Sequence, residues 1–167
     1  IIVIRDMAIM IIKSSLLSIF LSLLLVGIIS TLFFKNIAWG ILSIIPLGTA
    51  IILNFGLMGH FDAKLNHITA ILSSIIIGVG VDFAIHYISQ FRRLSKKKGN
   101  INQKVINEVG YPILLDAGSN MGFGALLFSA FIPVQYIGGL MIFAMISTSL
   151  GTLIILSSLV ELFKNKL

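Results

Sequence analysis

Asp82 stands inside an apolar run that extends from about residue 68 to residue 91. An ionisable group near the centre of a bilayer costs at least about 2.5–3.5 kcal/mol, so its presence there asks for a chemical reason. A carboxyl at that depth can take up and give back a proton as its surroundings change. Ser74, Gly78, Asp82, His86 and Ser89 follow one another at spacings of four, four, four and three. They therefore form one polar stripe on a helix, while Ile76, Ile77, Val79, Val81 and Phe83 point elsewhere. Gly78 and Gly80 leave that helix adaptable and let another backbone, or a file of water, approach the acid. His86, one turn further on, either relays protons or caps the stripe near the membrane surface. In the next apolar run, Asp116, Asn120 and Gly124 lie at i, i+4 and i+8, with Ser119 beside them and Gly118 and Gly122 as a small-xxx-small packing pair. A buried amide needs a partner, and the Asp82 stripe is the expected one for Asn120. Asp116 follows a basic loop and reads first as a surface ion pair, with proton work as the second reading.

The elements that must hold these residues follow from composition. Hydrophobic residues make up 57% of the 167 and charged residues 11%, against about 25% charged in a soluble domain. A soluble fold and a disordered tail are both excluded, and with no cysteine there is no disulfide framework or Cys-based zinc site. A bilayer core of about 30 Å needs about 20 apolar residues per helix. Five such windows are present, at about 14–34, 37–59, 68–91, 112–132 and 136–160. The fold class is all-α, a polytopic membrane bundle of five helices. Pro46 should kink the second span, and Ser14, Ser18 and Ser22 read as a packing face of the first.

Basic residues in short loops stay on the cytoplasmic side. One face carries Lys35, Arg92, Arg93, Lys96, Lys97, Lys98, Lys104, Lys164 and Lys166; the other carries Arg5, Lys13 and Lys64. The bias places the 92–111 loop and the C-terminus in the cytoplasm and the N-terminus outside the cell membrane. Residues 1–13 then form a lead-in on the outer side, and the chain reads as a piece of a longer protein. Within the loop, Asn100 is a plausible N-cap and Ile101, Val105, Ile106 and Val109 recur at helical spacing. A short amphipathic helix on the inner surface is expected, ended by Gly110 and Pro112. Its basic character points to lipid headgroups and not to nucleic acid. His60, Asp62 and His67 cluster in the outer turn, but solvated polar residues explain them better than a metal site does. No cofactor is expected, and no nucleophile–base pair supports an enzyme.

The run Gly78-Val79-Gly80-Val81-Asp82-Phe83-Ala84-Ile85-His86-Tyr87, followed by Ser89 and Arg92-Arg93, resembles the GxGxD-type signature of the resistance-nodulation-division (RND) superfamily in its MMPL-like, hydrophobe-exporter branch. Supporting pieces are Ile45-Pro46-Leu47, Gly56-Leu57-Met58-Gly59, Leu65-Asn66 with Thr69-Ala70, Gly122-Phe123 with Ser129, and Gly138-Gly139. The resemblance implies the last five helices of a proton-coupled secondary transporter that exports lipids or hydrophobic compounds. Residues 1–13 would be the end of its extracytoplasmic porter domain and 14–167 its transmembrane domain. Asp82 would be the proton-relay acid, with Ser119 or Asn120 as a polar neighbour. The implied partners are a lipid or hydrophobic substrate, membrane lipids and the transporter's N-terminal half, with oligomers left open. Relatives often carry Tyr after this acid where Phe83 stands here, which removes one hydroxyl from the expected relay. The alternative reading is a non-transporting bundle, either sterol-sensing-like and lipid-binding or an accessory subunit of protein-export machinery.

Overall fold

The computed structural model describes residues 2–61, 67–95 and 101–163, all of them in helices or the turns between helices. In chain order these are α1 (Ile2–Phe34), α2 (Ile37–His60), α3 (His67–Leu94), α4 (Ile101–Asn120), a 3-10 segment (Met121–Phe128), α5 (Ile132–Leu150), a π-helical turn (Gly151–Leu156) and α6 (Ser157–Phe163). Among the described residues four stretches are long and apolar enough to cross a membrane: Arg5–Phe34, Ile37–His60, Leu72–Leu94 and the continuous run Ile132–Phe163.

The segment expected to cross at 112–132 is built differently. It consists of the second half of α4 and the 3-10 segment, which ends at Phe128. An α-helix rises about 1.5 Å per residue and a 3-10 helix about 2.0 Å, so Pro112 to Phe128 extends about 30 Å. This stretch is not among the described ones long and apolar enough to cross a membrane. The expected amphipathic helix also differs. α4 does not stop at Gly110 and Pro112 but runs through both to Asn120. Pro112 removes one N–H and leaves the Glu108 carbonyl free of a helical partner, which is tolerable near a polar surface. The amphipathic pattern itself is present, with Ile101 and Val105 buried and Gln103, Lys104, Asn107 and Glu108 uncovered. The Asn100 cap lies outside the described residues.

Turn chemistry sets the first hairpin. Lys35 takes a left-handed backbone (φ 54°), and Asn36 then caps α2 by accepting the Ala38 N–H at 2.9 Å. Within α5, the hydroxyls of Ser147, Thr148 and Ser149 bond carbonyls of their own helix, which lets this polar run enter the core. Pro46, buried inside α2, lies against Gly151 where the π-helical turn begins, 3.7 Å from the position a Cβ there would take.

α3 is central, packed by α1, α2, α4 and α5. Its closest approach is at Gly80, where a Cβ would fall 2.6 Å from Leu47 Cδ2 and 3.1 Å from Thr148 Cγ2. Phe83, Ala84, Tyr87 and Ile88 continue the same face into the core and are fully buried. At Gly78 a Cβ would meet nothing within 4 Å. The two glycines of the motif therefore do different work, one closing a three-helix contact and the other leaving a surface open. Gly118 and Gly122, expected to pack, also meet nothing within 4 Å. The close contacts of that region come from Gly124 against Ile142 and from Gly138 against the Leu127 backbone.

Replacing Gly80 by Val should lower stability by about 1–3 kcal/mol, the usual cost of overpacking, whereas Gly78→Ala should not lower it. Thermal unfolding of the two variants in lipid, followed by loss of helical signal, checks the difference.

Candidate functional site around Asp82

Asp82 lies one residue from the middle of the crossing stretch Leu72–Leu94, or about 1.5 Å along the axis. It is closer to the centre than the sequence window of 68–91 suggests. The helical phase then decides where it points. At about 100° per residue, Asp82 is about 200° from Gly80 and about 40° from Gly78. With Gly80 turned into the core, Asp82 faces outward. Gly78, Asp82, His86 and Ser89 are all uncovered by the rest of the chain, and only Ser74 is half-buried. Its Oγ lies 3.4 Å from Ser18 Oγ of α1, while Ser14, also expected to pack, is exposed.

The stripe thus begins against α1 at Ser74 and ends against α4 at His86, with Gly78 and Asp82 open between them. Beside His86 is a cleft of about 250 Å³ between α3 and α4, lined by Phe83, His86, Val109, Pro112, Ile113 and Asp116. A histidine and a second acid therefore border one cavity, a single turn from Asp82. Asp116 does not make the expected ion pair with a basic residue among the described residues. It receives Asn120 Nδ2 at its carbonyl (3.0 Å) and its Oδ1 (3.2 Å) instead. This bond also corrects the expected partner of Asn120, whose amide turns back to its own helix and not to the Asp82 stripe. An i to i−4 capture of this kind requires no tertiary arrangement and is always within reach. Ser119 is uncovered and has no hydrogen-bond partner among the described residues, and the same holds for Asp82 and His86.

A polar network holds the two walls of the cleft together at its surface end. The Tyr87 hydroxyl, fully buried, donates to Asn102 Oδ1, and Asn102 Nδ2 donates to Glu161 Oε2 at 3.1 Å. Glu108 accepts from Gln90 and, at 3.0 Å, from Arg93. The second pair is largely exposed and contributes at most about 1 kcal/mol. Tyr87 matters more, because a buried hydroxyl without its partner costs about 1–3 kcal/mol. The sequence signals none of these partnerships, since they join α3, α4 and α6 across the fold. Of the His60, Asp62 and His67 group, Asp62 and the His67 side chain lie outside the described residues, and His60 packs edge-on against Phe61. Among the described residues no cluster of His, Asp or Glu is arranged to hold a metal.

A second cavity, about 490 Å³, lies at the other end of the bundle between the end of α2, the 3-10 segment and the start of α5. Leu57, Met58, Leu127 and Ile132 are among its apolar walls, and Gln135 and Tyr136 provide its polar edge. Gln135 Nε2 is held by the Ser129 carbonyl at 2.7 Å.

Long apolar helices, an acid at mid-depth and apolar cavities between helices define an integral membrane protein of the all-α polytopic class. Residues 34–160 match the family described as the sterol-sensing domain of SREBP cleavage-activation, and the chain belongs to that family. The domain is found in patched-like and RND membrane proteins. The chain is also similar to a protein of Methanocaldococcus jannaschii named as a membrane protein, with 28% identity over 104 residues. That match covers 60% of this chain and 27% of the relative, so the chain spans only about a quarter of the relative's length.

The absence of native cysteine allows the open stripe to be read directly. Single cysteines at Gly78, Asp82 and His86 should react with a small membrane-permeant maleimide, and one at Tyr87 should not. Equal labelling at Tyr87 and His86 would contradict the placement of the stripe. Asn102→Ala should destabilise the chain by about 1–3 kcal/mol, the penalty of an unpaired buried hydroxyl, measurable as a lower unfolding midpoint in lipid.

Proposed function

We propose that this chain is the C-terminal transmembrane half of an RND-type, MMPL-like transporter that exports lipids or other hydrophobic compounds in exchange for protons. The observation that carries the reading is Asp82, a carboxylate near mid-membrane on a face the chain leaves uncovered. An acid facing hydrocarbon is unfavourable by several kcal/mol, so this face calls for a second helical body with polar groups of its own. Gly78, beside the acid and without a side chain, lets that body come close. In the proposed arrangement the second body is the transporter's N-terminal half. Asp82 takes a proton from one side, and His86 with the cleft reaching Asp116 provides the polar route to the other. Membership in the sterol-sensing family supports a lipid-related role, and the basic end of α3 fits a cytoplasmic position for the 92–111 segment. The chain's role is that of a transporter and not of an enzyme, in the cell membrane with its N-terminus outside.

A second reading has its own support in the 490 Å³ apolar cavity. There the bundle binds a sterol or related lipid between α2 and α5 and signals without transporting. The two readings separate in one experiment. In the longer protein that contains this chain, reconstituted in vesicles with an interior pH dye, Asp82→Asn should reduce proton-coupled lipid export at least about tenfold, as expected for loss of an essential proton carrier, with lipid binding retained. Undiminished export overturns the transporter reading; lipid binding that ignores both the proton gradient and Asp82 supports the second.

A further inference from the structure

A groove of about 330 Å³ lies between α1 and α2, lined by residues of these two helices. Two glycines, Gly27 and Gly40, line its floor and let the helices touch there. Gly27 and Gly40 face each other where the two helices touch, and a Cβ at Gly40 would fall 2.8 Å from the Gly27 carbonyl oxygen and overlap the Thr31 hydroxyl. Ile28 and Leu32 of α1 and Ile37 and Ile41 of α2 form the rims, each more than half uncovered. The α1 wall of the groove runs from Leu24 to Leu32, about 12 Å at about 1.5 Å per residue, and Lys35 follows three residues later, about 16 Å from Leu24. This is close to half of a hydrocarbon core about 30 Å thick, the depth of one leaflet.

The groove ends in positive charge. Lys35, which is exposed, follows Leu32 by three residues and precedes Ile37 by two, so the residue itself lies in the turn beyond the end of the groove. Its left-handed backbone (φ 54°) suits glycine or asparagine, and a lysine there is held at a conformational cost of about 1–2 kcal/mol. Next to it, the Arg92 guanidinium sits 5.4 Å above the ring of Phe34, the residue before Lys35, and brings a second cation to the same end. An apolar channel one leaflet deep, capped by two basic side chains, has the form of one acyl chain with an anionic headgroup above it.

We propose that the α1–α2 groove is a binding site for an anionic glycerophospholipid, with one acyl chain along Gly27 and Gly40 and the phosphate against Lys35 and Arg92. The site is separate from Asp82 and does not depend on the transport reading. The full 167-residue chain, placed in nanodiscs of mixed phosphatidylcholine and phosphatidylglycerol, tests it through the lipid that stays bound after mild detergent extraction, counted by native mass spectrometry. The wild type should retain phosphatidylglycerol over phosphatidylcholine. Lys35→Gln should reduce that preference about fivefold, the effect of one basic residue at a charged surface, and Lys35→Arg should keep it. Ile41→Trp, which fills the groove and leaves the charges in place, should reduce retention of phosphatidylglycerol. Helical content of each variant, read by circular dichroism, shows that the bundle is intact. Equal retention of the two lipids by the wild type, or an unchanged preference in both Lys35→Gln and Ile41→Trp, overturns the proposal.

Discussion

The contact at Gly80 sets the geometry of the rest of the bundle. A glycine there lets α3 press directly on Leu47 of α2 and Thr148 of α5, and any side chain would push the three helices apart. Once one face of α3 is fixed inward, the pitch of the helix leaves no freedom for the other. Phe83 and Tyr87 are carried into the core, while Gly78, Asp82 and His86 are carried out of it. The acid's exposure is thus a consequence of packing two residues away and not of any interaction the acid makes itself. A motif that looks like a flexible joint in sequence acts as a rotational lock in structure.

This lock fixes where the side chains of the motif point. The glycine, acid and histidine of one short run are held on a helix that touches four others, so their directions are set by the whole bundle. The cleft between α3 and α4 follows from the same arrangement. Pro112 and Val109 form one wall and Phe83 and His86 the other, and the bonds through Asn102 and Glu108 keep the walls in register. The lipid-facing α1 contributes little to this core and stands largely uncovered, as expected of a helix whose surroundings are acyl chains.

Much of this was readable from residue order. The spacing of Ser74, Gly78, Asp82, His86 and Ser89 defines one face, and that face is intact. The all-α class and the break between the first two spans at 35–36 also follow from hydropathy. Other features escaped for identifiable reasons. Pro112 ordinarily ends a helix, yet α4 continues because a carbonyl freed near the surface is cheap to satisfy. A 3-10 winding of Met121–Phe128 has the same apolar composition as an α-helix, so composition could not mark it. Asn120 had two partners to choose from, and periodicity cannot rank a local bond to Asp116 against a distant one to Asp82. Gly118 and Gly122 satisfy a packing pattern but lie on the side where nothing packs.

The bond from Asn102 to Glu161 spans 59 residues of chain, and Tyr87 depends on the same chain of donors and acceptors. During synthesis α3 and the start of α4 leave the ribosome well before α6 does. At about 5–20 residues per second, Asn102 waits roughly 3–12 seconds for Glu161 to be made. Over that interval the early helices are inserted with one polar anchor unfinished, and α6 completes it once residue 161 is made. Formation of α6 is therefore a closing step for this network, and a chain released before residue 161 would keep the bonds between α3 and α4 but not the tie from Asn102 to α6.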